Sequence, residues 1–134
     1  MSELAFLSAT ELARRIRSRD LGCEELLRHY LDRVDRYNGD LNAIVVDVRD
    51  EALVAARAAD AAIGRGDELG PFHGVPMTFK ESYNLRGTVT TWGNPDWKDN
   101  TASEDAVSVQ KMKDAAVVVF GKTNAPLMLA DFQS

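Results

Sequence analysis

A single cysteine, Cys23, occurs in the 134 residues, so no intrachain disulfide forms and no thiolate cluster is available to hold a metal. A reducing cytoplasm is the expected compartment, and no metal or cofactor is expected. No run approaches the roughly 20 apolar residues of a membrane-spanning helix. The opening MSELAFLSAT carries an acidic and no basic residue and is too short in apolar character for a signal-peptide core. Positive charge is in short supply as well: 16 Lys and Arg face 21 Asp and Glu, a formal charge of −5. That leaves no field for phosphate backbones or anionic lipid heads, so neither nucleic acid nor membrane is an expected partner. There is no internal repeat, no low-complexity tract and no linker.

What is present is an ordinary globular composition, 45% hydrophobic and 28% charged, in a length typical of one domain. Ser8 followed by Glu11 is a capping-box pattern opening a helix over about 9–18. After Gly22, the stripe Leu26, Leu27, Tyr30, Leu31, Val34 predicts an amphipathic helix over about 23–37, ended by Asn38-Gly39. Ala43 to Val46 reads as a strand. An alanine-rich helix over about 50–63 follows, closed by Gly64 and Gly66.

The Gly- and Pro-rich stretch 64–76 delivers the chain into a strand over 75–82. Gly87 to Thr101 is irregular, and Ser103 predicts the cap of a helix over about 104–114. Ala116 to Phe120 reads as a buried strand ended by Gly121. The last residues read as the start of another helix without a stop signal, as though the chain were cut. This order predicts an α/β fold, a helical pair (1–40) followed by an α/β portion (41–134), with a mixed sheet covered by helices and incomplete in this chain.

Candidate chemistry centres on Lys80. Strand alternation places Thr78, Lys80 and Ser82 on one face and Glu81 on the other, so the adjacent carboxylate is not the partner of the lysine. Two readings stand. In one, the lysine is buried on an interior strand and lowers its pKa; service as a base near neutrality needs about three units, on the order of 4 kcal/mol. In the other, 75–82 is an edge strand and Lys80 is a solvated gatekeeper at its rim.

Gly121-Lys122-Thr123 invites a phosphate-loop reading, but position 116 is alanine where that loop needs glycine, so a structural strand-to-helix turn is expected. His73 is expected to be a packed loop residue and Cys23 a cap or packing residue. Trp92 and Trp97 are expected to hold down a loop.

The segment GPFHGVPMTFKES resembles the G-P-L-H-G-(V/I)-P-x-x-x-K-(D/E) motif of the amidase signature family. Gly87, Thr90, Thr91 and Gly93 are similar to its G-x-x-T-T-x-G stretch, and residues 115–124 to its A-G-A-x-x-x-G-K-T-N segment. The opening helices and Asn42-Ala43 extend the likeness over nearly the whole chain. Glu81 replaces a more common aspartate, Ala116 a usual glycine, and Leu127 a frequent glutamate.

The resemblance implies a serine-dependent amidohydrolase in which Lys80 is the base of a Ser-cisSer-Lys triad acting on a small-molecule amide, with Met128 and Leu129 either helping to wall the acyl pocket or, equally, packing in the core. In that family both serines and the oxyanion donors lie in a Gly/Ser-rich stretch further along. Here the serines, at 2, 8, 18, 82, 103, 108 and 134, are isolated. These residues alone are therefore expected to be inactive, and amidase and amidotransferase members remain equally open. The alternative is a non-catalytic interaction module that self-associates through exposed sheet edges.

Overall fold

The computed structural model describes residues 4–131. Ser8 accepts a hydrogen bond from the Glu11 amide and opens α1 (Ala9–Arg17), which buries Leu12, Ala13 and Ile16. The expected stripe of the next helix is inward: α2 (Cys23–Leu41) buries Leu26, Leu27 and Leu31. It runs through Asn38-Gly39 rather than turning there. The Asn38 side chain is occupied instead in bonding both the N–H and the C=O of Ile44, which ties the end of the helix to the first strand.

The start of α2 is held from a distance. Gly22 has no side chain to cap with, and the Asp60 carboxylate accepts from the Cys23 and Glu24 amides at 2.7 and 3.0 Å. Asp60 belongs to α3 (Arg49–Arg65), which lays Ala52 and Ala56 into the same core.

The sheet has three strands in the order β1 (Ile44–Asp47), β3 (Val118–Thr123), β2 (Pro76–Lys80), with β1 antiparallel and β2 parallel to the central β3. Val118 and Phe120 face the helices, and Tyr30 of α2 stacks on Phe120 at 6.3 Å between ring centroids. The predicted mixed α/β architecture is thus observed. Strand β3 continues past Gly121, where the sequence reading stopped it, because the ladder kinks. Two bulges shift the register around this point, and a Cβ on residue 121 would lie 2.7 Å from the Val46 carbonyl. Glycine is what lets β1 close onto β3 here.

The fourth helix, α4 (Val107–Asp114), begins later than expected, and Ser103 does not cap it. Asp105 is spent on the Arg86 amide and on Lys113, which holds the approach to the helix in a bend. The chain's last described stretch is a single 3-10 turn, Leu127–Leu129; the end of the expected terminal helix falls outside the described residues. No helix among the described residues is long and apolar enough to cross a membrane.

Candidate active site

Lys80 is the last residue of β2, at the C-terminal end of the parallel pair. Its register partner is Thr123, and its own carbonyl accepts from the Tyr83 amide at 3.0 Å, so the strand ends in a tight turn. That turn takes Ser82 out of the strand, and the alternation that would align Ser82 with Thr78 and Lys80 does not reach it. Among the described residues β2 is an edge strand and Lys80 is exposed, which matches the rim reading of its surroundings. Thr78, on the same face, lines a cleft of about 450 Å³ between α2 and the sheet together with Tyr30, Ile44 and Phe120.

Glu81 turns the other way, as strand alternation requires, and is 4% exposed. Its two carboxylate oxygens accept the successive amides of Thr91 and Trp92, the latter at 2.9 Å. Carboxylates prefer to leave water only with such donors in place.

Next to it lies the residue that the sequence reading assigned to a strand-to-helix turn. Lys122 is in β3, with no exposed surface at all. Its ammonium donates to the Val89 carbonyl at 2.6 Å and to the Thr90 hydroxyl at 2.9 Å. Burial pushes its pKa below the ordinary lysine value, and the nearby negative charge of Glu81 partly counters this. Alternation alone does not reveal this, because the register shifts at the bulge before Gly121: Lys122 pairs with Phe79, not with Lys80, and so shares the face of Glu81.

The segment between β2 and α4 folds back over that face. The Gly87 amide donates to the Ala102 carbonyl and the Ala102 amide to that of Thr88, Thr90 bonds Asn100, and Val89 bridges Thr101. Trp92 is indeed a loop anchor, its indole N–H donating to the Ser82 carbonyl at 3.0 Å. Its own carbonyl accepts from the Met128 amide at 2.7 Å, which brings the 127–129 turn toward the Lys80 end of the sheet. Met128 and Leu129 are 45% and 37% exposed.

His73 donates from Nε2 to the Ala59 carbonyl at 2.9 Å, a packed loop histidine as expected. Cys23 is buried; burial first, then the hydrogen bond and charge of Asp60, push its thiol up to about 12.

The model of the amidase family matches residues 25–133. The chain is 40% identical over 124 residues to a glutamyl-tRNA(Gln) amidotransferase subunit of Acidothermus cellulolyticus, covering 92% of this chain and 25% of that protein. It is 44% identical over 119 residues to an indoleacetamide hydrolase of Bradyrhizobium diazoefficiens, covering 89% and 23%. Its backbone superposes on a bacterial aryl acylamidase of the amidase signature family with a TM-score of 0.84 at 27% identity, over 92% of this chain and 26% of that one. The chain thus spans about a quarter of the length of the proteins it matches. With the family match covering Lys80, the loop over Lys122 and the 127–129 turn together, the chain belongs to the amidase signature family.

Proposed function

We propose that the full-length protein is an amidase that hydrolyses a carboxylic amide C–N bond through a serine acyl-enzyme, with Lys80 as the base. The observation that carries this reading is the position of Lys80. It stands at the end of a parallel strand whose neighbouring turn is pinned by Glu81, Trp92 and Met128, within a segment matched by the family model. A rigid strand end is where a proton acceptor can be held within hydrogen-bond reach of its partner.

A serine hydroxyl becomes a competent nucleophile when a neighbour takes its proton. A neutral lysine acting through a second serine does so, and returns the proton to the leaving amine. A neutral lysine at working pH needs desolvation or nearby cations. Lys80 is exposed among the residues described, so its cover comes from the remaining three quarters of a protein of this family's length, as do both serines and the oxyanion donors. Residues 1–134 alone are then inactive.

Met128 and Leu129 form part of the acyl pocket wall, and the substrate class is a small or aryl amide. In the full-length protein, Lys80→Ala lowers turnover of an aryl acetamide by about a thousandfold or more while circular dichroism stays unchanged. Retained turnover removes Lys80 from the mechanism. Ammonia transfer from glutamine to an acyl acceptor, without hydrolysis of the aryl amide, would place the protein with the amidotransferases instead.

The second reading, a self-associating module, draws on β1 and β2, both of which leave one edge unpaired among the described residues. Under it, residues 1–134 elute as dimers or larger species in size-exclusion chromatography; a compact monomer rejects it.

A further inference from the structure

Two buried charged groups take no part in the chemistry just described. Lys122 donates to the Val89 carbonyl and the Thr90 hydroxyl, and Glu81 accepts the Thr91 and Trp92 amides. A cation therefore holds the acceptors, and an anion the donors, of one continuous stretch, 89–92.

What that stretch does next gives the arrangement its meaning. Trp92 has a left-handed backbone, φ 54°, which a non-glycine residue keeps only when its surroundings impose it. Its indole N–H binds the carbonyl of Ser82, two residues beyond Lys80, and its carbonyl binds the Met128 amide. Gly93 then lies so close to the 125–127 backbone that a Cβ there would sit 3.0 Å from the Ala125 carbonyl. Trp92 is thus a bridge between the end of β2 and the turn that carries Met128 and Leu129.

Taking a lysine and a glutamate out of water is costly before pairing, and apolar replacements of such groups are often neutral or stabilising. A role in fixing one geometry accounts for both charges where a role in packing does not.

We propose that Glu81 and Lys122 are positioning residues that set Trp92, and through it the Met128–Leu129 wall, relative to Lys80, and so govern which acyl groups bind rather than how fast the bond breaks. This rests on the amidase reading for its kinetic consequence but not for its structural one.

The test uses the full-length protein, 4-nitroacetanilide as substrate, and amide hydrogen exchange. Glu81→Gln, isosteric but uncharged, raises KM about tenfold with kcat within about threefold, and speeds exchange of the Thr91, Trp92 and Met128 amides about tenfold. Glu81→Asp, which keeps the carboxylate, restores most of both. Lys122→Met moves the same readouts in the same direction, and the double variant falls short of the product of the single effects because both act on one stretch.

The proposal is overturned by unchanged Met128 exchange in Glu81→Gln, by a loss in kcat at constant KM, or by exchange that rises uniformly along the chain. Should Lys122→Met fail to fold, the isosteric Glu81→Gln decides the matter. Should the wild-type protein hydrolyse no amide, the amidase reading falls while exchange at Met128 still decides for or against the bridge.

Discussion

Phe79 and Lys122 are register partners across β2 and β3, so that Lys80, one residue further on, stands opposite Thr123 and faces the other side of the sheet. Two lysines separated by a single register step therefore have opposite environments. One is exposed at the strand end, and the other is enclosed by the loop that returns over the sheet.

The enclosed one has a signature in stability. Its folded pKa lies below the ordinary value near 10.5 reached when the chain unfolds. Between those values the unfolded state binds more protons than the native state, so stability contributed by Lys122 rises with pH. Urea titrations of wild type and Lys122→Met from pH 7 upward are expected to diverge in favour of wild type as 10.5 is approached. A difference that is flat or shrinks with pH contradicts the burial of the charge.

Cys23 has the opposite sign. Its thiol, pushed up to about 12 from an ordinary 9.0, stays protonated in the native state where the unfolded one ionises. Stability from this group is fully present below pH 9.0 and is lost as pH climbs toward 12. Iodoacetamide at pH 8 should leave Cys23 unmodified in the native protein and label it once urea unfolds the chain. Rapid labelling without denaturant would show that the thiol is accessible after all.

Gly74 has the closest approach to a neighbour of any glycine among the described residues. Its φ is +74°, and a Cβ there would run into the Cys23 sulfur. Gly74→Ala is expected to cost on the order of 3 kcal/mol, combining backbone strain and overpacking. Adding Cys23→Ala should recover part of that loss, since the sulfur is removed while the backbone strain remains. Equal stabilities for the single and double variants in thermal unfolding would refute the clash.

Ala116 carries φ 67°, a left-handed conformation that costs an L-residue roughly 1–2 kcal/mol. Set against the roughly 0.4–1 kcal/mol of unfolded-state entropy that glycine adds, Ala116→Gly should stabilise the protein by between zero and about 1.6 kcal/mol. A loss of more than about 1 kcal/mol in Tm-derived stability would mean that the Ala116 methyl group, packed beside Gly70, contributes more than its backbone costs.

That position also shows how far the sequence can be read. The departure from glycine at 116 was visible as a mismatch to the resembled motif, and only the backbone angle gives it physical content. Helices α1 and α2, the strands and the opposed faces of Lys80 and Glu81 follow from periodicity, which is a local property. The Asp60 cap on α2 does not, because the capping side chain lies 37 residues from Cys23. Nor does the interior place of Lys122: the bulge at Gly121 breaks the alternation that would have assigned it a face, and an apolar run ending in Gly-Lys looks like the end of a strand. Ser103 failed as a cap for a related reason, since Asp105 had already been claimed by Arg86 and Lys113 from elsewhere in the fold.

The central place of β3 also sets a schedule for synthesis. Among the described residues neither β1 nor β2 touches the other, and each pairs only with β3, which comes roughly 70 residues after β1. At about 5–20 residues per second, β1 waits on the order of 4–15 s on the ribosome with neither edge paired. During that interval the nascent chain is a set of helices beside an apolar strand seeking a partner. Codon usage and chaperone supply over residues 48–117 would therefore affect the yield of folded protein more than they would elsewhere in this region.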